Sequence, residues 1–230
     1  MRPLIFALCL LGMPALAAEP LRIAVASNFK PVLERLNAEF TAATGIQVRL
    51  SSASSGVLAT QILHGAPFDV FFSADRERPA QLIRRGIAAP AAAFCYASGV
   101  LALVGGQFPD LARPELRVAI ANPLTAPYGE AALEVLARAD YRSGAARTVV
   151  RGNNAAQAYQ FWYSGAADLA LIPLAVAPEG ALPIPREWHK PLLQYALVLG
   201  ESDALARYLK WIRSDTVRST ITNTGYDPCP

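Results

Sequence analysis

The chain has 230 residues, of which 53% are hydrophobic and 17% charged. Its formal net charge of +3 at pH 7 is too small to indicate binding to nucleic acid or to a membrane surface. The length suits one large or two small domains, since domains average about 150 residues.

The first 17 residues have the features of a secretory signal peptide. Arg2 gives a positive start, the segment from Leu4 to Leu11 is apolar, and Ala15-Leu16-Ala17 has the pattern of a cleavage site. The apolar run of about 8 residues is too short to cross a bilayer, which needs about 20. We therefore expect residues 1–17 to be cleaved and the mature protein to work in the periplasm.

Removal of residues 1–17 leaves 20 Lys and Arg against 18 Asp and Glu, a net charge of +2. It also removes Cys9, so that Cys95 and Cys229 remain. An oxidising compartment allows these two cysteines to form a disulfide. The sequence leaves that pairing open, because it does not show whether the two sulfurs come within bonding range.

Strands and helices are predicted to alternate through the first part of the mature chain. Short β-rich runs predict strands at residues 21–25, 46–50 and 69–72, and apolar stripes predict helices at 32–44, 57–64 and 78–85. The pattern restarts after Pro90. It predicts strands at 100–104, 116–120, 148–150 and 169–172 and helices at 130–138 and 155–163. No internal sequence repeat is evident. This alternation is typical of α/β domains with parallel sheets.

The end of the chain predicts a return to the first unit. A proline-rich loop at 178–191 precedes a predicted strand at 195–199, an amphipathic helix around 205–212 and a shorter helix at 216–222. We predict a first lobe formed by residues 18–95 and 195–230 and a second lobe formed by residues 96–194. Two chain crossings between lobes would form a hinge.

Four polar segments are predicted to join a strand to the start of a helix. They are residues 26–28 and 51–56 in the first lobe and 122–129 and 151–155 in the second. Open α/β sheets bind ligands at such places, and helix N-termini attract anions through unpaired N–H groups. Each segment alone is more simply an ordinary helix cap. The four together predict a cavity lined by donors, which would reject a protonated anion because it offers no acceptor.

Several short motifs occur in a fixed order along the mature chain. They are Val25-Ala26-Ser27-Asn28-Phe29, Ser51 to Gly56 with Ala59 to Ile62, Gly65 to Asp75, Ile120 to Pro123, Ala126 to Gly129, Ser164 to Leu169, and Gly225-Tyr226. In this order they resemble the periplasmic molybdate-binding proteins of ABC transporters. The resemblance covers the mature chain. It implies a type II two-lobed periplasmic-binding-protein fold of the α/β class, with two parallel-rich mixed sheets flanked by helices and a two-strand hinge.

The resemblance also implies a ligand and its contacts. The ligand would be molybdate or tungstate, held by Ser27, Asn28, Ser55 and the backbone N–H groups of Tyr128 and Ala155. Molybdenum would enter only as the oxyanion, and no other metal or cofactor is expected. The expected partner is a membrane ABC permease, and the protein is expected to be a monomer that catalyses no reaction. Some members use a tyrosine hydroxyl from a later strand, but residues 168–174 contain no tyrosine.

Enzymatic alternatives rest on isolated residues. Ser27 and Lys30 match the Ser-x-x-Lys pattern of serine acylases, without the accompanying Ser-Asp-Asn or Lys-Thr-Gly. The sequence contains two histidines, His64 and His189, but no Gly-x-Ser-x-Gly motif that would supply the nucleophile of a Ser-His-Asp hydrolase. No Walker loop occurs. These patterns favour a binding protein over an enzyme.

Other ligands are a second alternative. His64, Asp69, Asp75 and Glu77 could be considered as metal ligands, although Asp75 is more simply a helix cap. Arg151 could face an organic acid. Sulfate is also a tetrahedral dianion, and we expect cavity size to discriminate against it, because a smaller anion would stretch some of the hydrogen bonds.

Overall fold

The computed structural model describes residues 19–230 and contains two mixed sheets flanked by helices. The predicted signal peptide lies outside the described residues. Within them, no helix is both long and apolar enough to span a membrane. The helices are α1 (Lys30–Thr44), α2 (Ser55–Leu63), α3 (Glu77–Arg84), α4 (Pro127–Leu136), α5 (Ala155–Tyr163), α6 (Asp203–Ile212) and α7 (Asp215–Thr222).

The strands form one sheet of six and one of five. They are β1 (Leu21–Ala26), β2 (Val48–Ala53), β3 (Val70–Ser73), β4 (Ala93–Gly99), β5 (Leu101–Val104), β6 (Val118–Ala121), β7 (Val149–Gly152), β8 (Leu169–Pro173), β9 (Leu182–Pro183), β10 (Leu192–Val198) and β11 (Tyr226–Asp227). The first sheet has the order β11-β4-β10-β3-β1-β2 and the second β7-β6-β8-β5-β9. We call the elements around each sheet the first and the second lobe.

Each sheet combines a parallel and an antiparallel part. In the first, β1 pairs in parallel with β2 and β3, whereas β10 pairs antiparallel with β3 and β4. In the second, β6 pairs in parallel with β7 and β8, and β5 is antiparallel to β8. The α/β fold with two mixed sheets flanked by helices is therefore confirmed. The sheets are not richer in parallel pairs, because the first has two parallel and three antiparallel pairings and the second has two of each.

Apolar helix faces cover both sheets. In α1, Val32, Leu33, Leu36 and Phe40 are buried against the first sheet, and the helix ends at Gly45, whose φ of +74° favours glycine. Helices α6 and α7 pack in the same core. The first residues of α2, α4 and α5 lie together where the two lobes meet.

The chain passes between the lobes close to β4 and β10. The predicted lobe boundaries, 95/96 and 194/195, fall inside these two strands, and they stay a prediction. Both strands belong to the first sheet. The structure also joins Cys95 of β4 to Cys229 beyond β11 in a disulfide, with Cα atoms 6.2 Å apart. The pairing that the sequence left open thus attaches the C-terminal tail to the strand that leads into the second lobe.

One strand was missed, and several predicted elements were wrong in their bounds. The strand predicted from residue 100 is preceded by a separate strand, β4, which pairs with β10 and β11 on its two sides. Strand β10 begins at Leu192 instead of residue 195. Helix α4 begins at Pro127 instead of residue 130, because proline suits the first helical position, where no N–H bond is needed.

Candidate functional site

Two loops from each lobe meet at one small cavity. Its volume is about 10 Å³, room for about one water-sized sphere, far less than the roughly 300–1,000 Å³ of pockets for drug-sized ligands. Its lining residues come from the four predicted segments and from the end of β3: Ala26, Ser27, Asn28, Ser54, Ser55, Ala74, Ala126, Pro127, Tyr128 and Ala155. All five residues predicted for the site therefore lie around the same cavity.

The first lobe contributes serine hydroxyls and backbone amides. Ser27 and Asn28 follow β1, and Ser54 and Ser55 stand at the start of α2. The Ser55 hydroxyl oxygen accepts the backbone N–H of Ala74 at 2.9 Å. Since that bond uses only a lone pair of the oxygen, the hydroxyl proton of Ser55 is left to donate to another group.

The second lobe contributes backbone amides at two helix starts. Tyr128 is the second residue of α4, after Pro127, and Ala155 is the first residue of α5. In a helix the first N–H groups have no intrahelical acceptor, and they lie at the positive end of the helix dipole. Both helices therefore direct partial positive charge towards the cavity without any cationic side chain.

Several buried donors around the cavity have no acceptor among residues 19–230. They are the backbone N–H groups of Asn28, Ser55 and Tyr128 and the hydroxyl of Ser54. These residues are all at least 97% buried. Because an unpaired buried polar group costs about 1–3 kcal/mol, such a cluster is expected where a ligand supplies the acceptor. Ser54, which the sequence suggested only as part of its segment, belongs to this set.

Among the residues that the structure describes, no ionised side chain lines the cavity. The nearest charged cluster on the same loops is Asp75, which bonds to Arg78 at the start of α3. Arg78 also lies 3.0 Å from Glu130 of α4. These charges neutralise one another at the rim, so the potential inside the cavity depends on neutral donors and helix starts.

The structure has the lobes in contact across the cavity. The backbone N–H of Ala155 donates to the Ser27 hydroxyl oxygen at 3.2 Å, and the N–H of Gly56 donates to the Thr125 carbonyl at 2.9 Å. Ala26 and Ala74 of the first lobe also pack in the core of the second. This arrangement is a closed one, in which a ligand would be enclosed.

A buried polar network lies behind the cavity. It involves β4 and β10, the two strands close to the chain crossings, which we call the hinge strands. Its centre is Gln194 of β10, which bonds to the side chains of Asn28, Tyr96 and Tyr128. Tyr226 of β11 donates to the Asn28 carbonyl at 2.8 Å. Burial raises the pKa of the tyrosine hydroxyls in this network, so they stay neutral. Nothing in the local sequence pattern marks Gln194 or Tyr96, whereas Tyr226 was noted as part of a motif.

Apart from Ser27, which lines the cavity, the residues considered for an enzyme or for an organic-acid site lie elsewhere or have other partners. The Lys30 ammonium lies 3.2 Å from Glu34, one turn along α1. His64 is exposed and its Nδ1 lies 2.8 Å from the Thr60 carbonyl oxygen. Arg151 is exposed on β7.

The side chains considered above as alternative metal ligands make separate contacts. Asp69 accepts the backbone N–H of Arg22 at 2.7 Å, and Glu77 pairs with Arg84. Among residues 19–230, no three His, Cys, Asp or Glu side chains are grouped to hold a metal ion.

Two lobes that close donor-lined loops over a small cavity define a solute-binding protein. Residues 21–227 match the family of bacterial extracellular solute-binding proteins. The chain belongs to this family.

Individual relatives agree with that assignment. The chain is 35% identical to the molybdate-binding protein ModA of Rhodobacter capsulatus, over 94% of this chain and 91% of the relative. Its structure is similar to that of the periplasmic molybdate-binding protein of Azotobacter vinelandii, with a TM-score of 0.83 and 33% identity over 91% of this chain and all of the other. The sulfate-binding protein SubI of Mycobacterium tuberculosis shares the fold, with a TM-score of 0.74 and 16% identity over 91% of this chain and 86% of the other.

Proposed function

We propose that the protein binds molybdate, or the equally shaped tungstate, between its lobes and delivers it to a membrane ABC permease. The observation that carries this proposal is the set of buried donors without protein acceptors at Asn28, Ser54, Ser55 and Tyr128. The names of the relatives from Rhodobacter and Azotobacter support molybdate as the ligand.

The donor set suits a tetrahedral dianion. Such an anion presents four oxygens, and the first lobe offers the hydroxyls of Ser27, Ser54 and Ser55 together with two N–H groups. The second lobe offers the unpaired N–H group of Tyr128, and it offers that of Ala155 if the anion replaces the Ser27 hydroxyl oxygen as its acceptor. Hydrogen bonds to a charged acceptor contribute about 1.5–3 kcal/mol each, so five or more can offset the desolvation of a small dianion.

The absence of a carboxylate from the cavity lining favours a fully ionised anion. A protonated anion, such as hydrogen phosphate, would bring a donor for which the lining offers no carboxylate, and the Ser27 and Ser55 oxygens already accept backbone N–H groups. Sulfate is fully ionised and of the same shape, so only its smaller size distinguishes it. We expect the closed cavity to leave some of its hydrogen bonds to sulfate stretched.

Binding and delivery require no chemical step, and we propose that the protein is not an enzyme and needs no cofactor. Closure requires that the ligand gain more contacts in the closed state than in the open one. Donors from both lobes meet that requirement, because an open cleft would lose either the Tyr128 and Ala155 amides or the serines. We propose that a monomer in the periplasm presents this closed form to the permease.

A calorimetric panel on protein purified from the periplasm tests the proposal. Molybdate, tungstate, sulfate and phosphate are titrated separately, and the melting temperature is measured with each, since a ligand of the native state raises it. We expect tight binding of molybdate and tungstate, with sulfate at least about tenfold weaker and phosphate without effect. Equal affinity for sulfate and molybdate would contradict the size argument, and no binding of any oxyanion would contradict the proposal.

A further inference from the structure

Gln194 occupies a position that the binding site alone does not explain. It lies in β10, beside one of the two chain crossings, and its side chain is completely buried. The pairing of β10 with β4 shifts register between Gln194 and Tyr195. Such a bulge re-aims a side chain, and here it belongs to a residue with three side-chain hydrogen bonds.

The bonds of Gln194 reach both lobes. Its Oε1 accepts from Asn28 Nδ2 at 3.0 Å and from the Tyr96 hydroxyl at 2.7 Å, and its Nε2 donates to the Tyr128 hydroxyl at 2.9 Å. Asn28 belongs to the first lobe and Tyr128 to the second. Each of these two residues also supplies one of the backbone N–H groups that face the cavity without an acceptor.

The second hinge strand leaves room for this network. A Cβ atom at Gly99, the last residue of β4, would lie 2.2 Å from the Tyr128 hydroxyl oxygen and 2.6 Å from Gln194 Nε2. Both distances are far shorter than ordinary contacts, so any larger residue would displace the network. Both hinge strands therefore contribute to the hydrogen bonds between the lobes. Strand β10 supplies the Gln194 side-chain amide, and β4 leaves space for it because Gly99 has no side chain.

We infer that Gln194 is a positioning residue, which aligns the Asn28 and Tyr128 amides for the oxyanion by holding both side chains with one amide at the hinge. It touches no ligand itself. The inference rests on the proposed function, and it adds a residue through which the relative placement of the lobes sets affinity. A buried amide suits this role because it offers an acceptor and donors without a charge near the anion.

Three variants test the link by calorimetry with molybdate. Gln194→Met keeps the approximate shape of the side chain and removes its hydrogen bonds, and we expect affinity to fall at least about tenfold. Tyr128→Phe removes the other end of the cross-lobe bond and keeps the backbone N–H. Because both changes break the same bond, the double variant should lose less than the sum of the two.

A conservative variant separates positioning from packing. Gln194→Glu is isosteric, and its carboxylate would repel the dianion, whereas the protonated acid restores an acceptor and a donor. The groups around the side chain at position 194 are the neutral hydroxyls of Tyr96, Tyr128 and Tyr226. The carboxylates that act on these tyrosines are Asp75 and Asp227. Because burial disfavours the charged form and raises the pKa of a carboxyl at this fully buried position, we expect Gln194→Glu to bind weakly at about pH 8 and to approach wild-type affinity towards about pH 5, while the wild type changes little over this range.

Tyr208→Phe is the matched control, because Tyr208 donates to Asn37 at 2.8 Å in the core of the first lobe, away from the cavity. It should lower the melting temperature and leave affinity unchanged. Wild-type affinity in Gln194→Met, additive losses in the double variant, or weak binding by Gln194→Glu at low pH would each overturn the inference. If the wild type binds no oxyanion, the proposed function fails. The inference is then decided by the same cycle on melting temperatures, in which additive effects overturn it.

Discussion

The two lobes share one plan but contribute different chemistry. In the first, parallel β2, β1 and β3 are followed by antiparallel β10, and in the second, parallel β7, β6 and β8 are followed by antiparallel β5. The four cavity loops therefore occupy corresponding positions. The first lobe adds three serine hydroxyls to its amides, whereas the second offers backbone amides from α4 and α5. Side-chain substitutions should therefore act mainly through the first lobe.

The largest effect is expected from the double variant Ser27→Ala, Ser55→Ala. It removes two hydroxyl donors, each worth about 1.5–3 kcal/mol towards a charged acceptor, so molybdate affinity should fall at least about a hundredfold. Isothermal titration calorimetry measures the loss. Ser51→Ala, an exposed serine of β2, is the control and should bind normally. A loss below tenfold in the double variant would show that the serines are not ligands.

In the second lobe, only a change to the backbone should have a comparable effect. Ala155→Pro removes the N–H while suiting the first position of α5, and we expect affinity to fall about tenfold to a hundredfold. Ala155→Gly keeps the N–H and should bind within a few-fold of the wild type. If both variants bind equally in the same titration, the Ala155 amide makes no ligand contact.

Closure itself can be altered without touching a proposed ligand contact. A Cβ at Gly56 would lie 3.0 Å from Thr125 Cα across the cleft, closer than ordinary contacts. Gly56→Ala should therefore lower affinity by several-fold, up to about tenfold, because the closed state is strained.

The same change should stabilise the ligand-free protein, since alanine favours the α2 helix by about 0.5–1 kcal/mol. Calorimetry with molybdate and melting of the ligand-free protein together measure the two effects. A fall in both affinity and stability would indicate general damage instead of strained closure.

The smallest effect concerns an aspartate that precedes an inner strand in each lobe, Asp69 before β3 and Asp168 before β8. Asp168 accepts the Arg117 backbone N–H at 2.8 Å, as Asp69 does from Arg22 in the first lobe. In the second lobe the Arg117 guanidinium also bonds to the Asp168 carboxylate, at 3.0 Å. In the first lobe the Arg22 guanidinium instead lies 3.8 Å from Glu19. Hydrogen bonds from Arg117 lower the pKa of Asp168 to about 2.

Because this pKa is lower in the folded than in the unfolded protein, its contribution to stability is present above about pH 4 and is lost as the pH falls towards about 2. Asp168→Asn should therefore melt slightly below the wild type at neutral pH, and the difference should shrink on acidification. Melting curves across this range measure it. Asp69→Asn, which has no guanidinium partner to lose, should show a smaller decrease at neutral pH, and equal decreases would contradict the comparison.

Local sequence determined most of the elements and the positions that face the cavity. The apolar stripe of α5 predicted its bounds correctly, and the polar segments at helix starts pointed to Ser27, Asn28, Ser55, Tyr128 and Ala155. These features depend on neighbours a few residues apart, through helical periodicity and unpaired helix-start amides. Their arrangement around one cavity is observed, while their contacts with an oxyanion stay a prediction.

Only the tertiary structure decided the contacts between distant parts of the chain. Gln194 bonds to Asn28 across 166 positions, and Cys95 meets Cys229 across 134. Strand β4 escaped prediction because its partners, β10 and β11, come about a hundred residues later. The sequence pattern restarted after Pro90 and so indicated a second unit, but it did not give the strand order that the two lobes share, since that order is set by packing and pairing that unrelated sequences can share. Such contacts exist only once both sheets have formed, and therefore no local pattern encodes them.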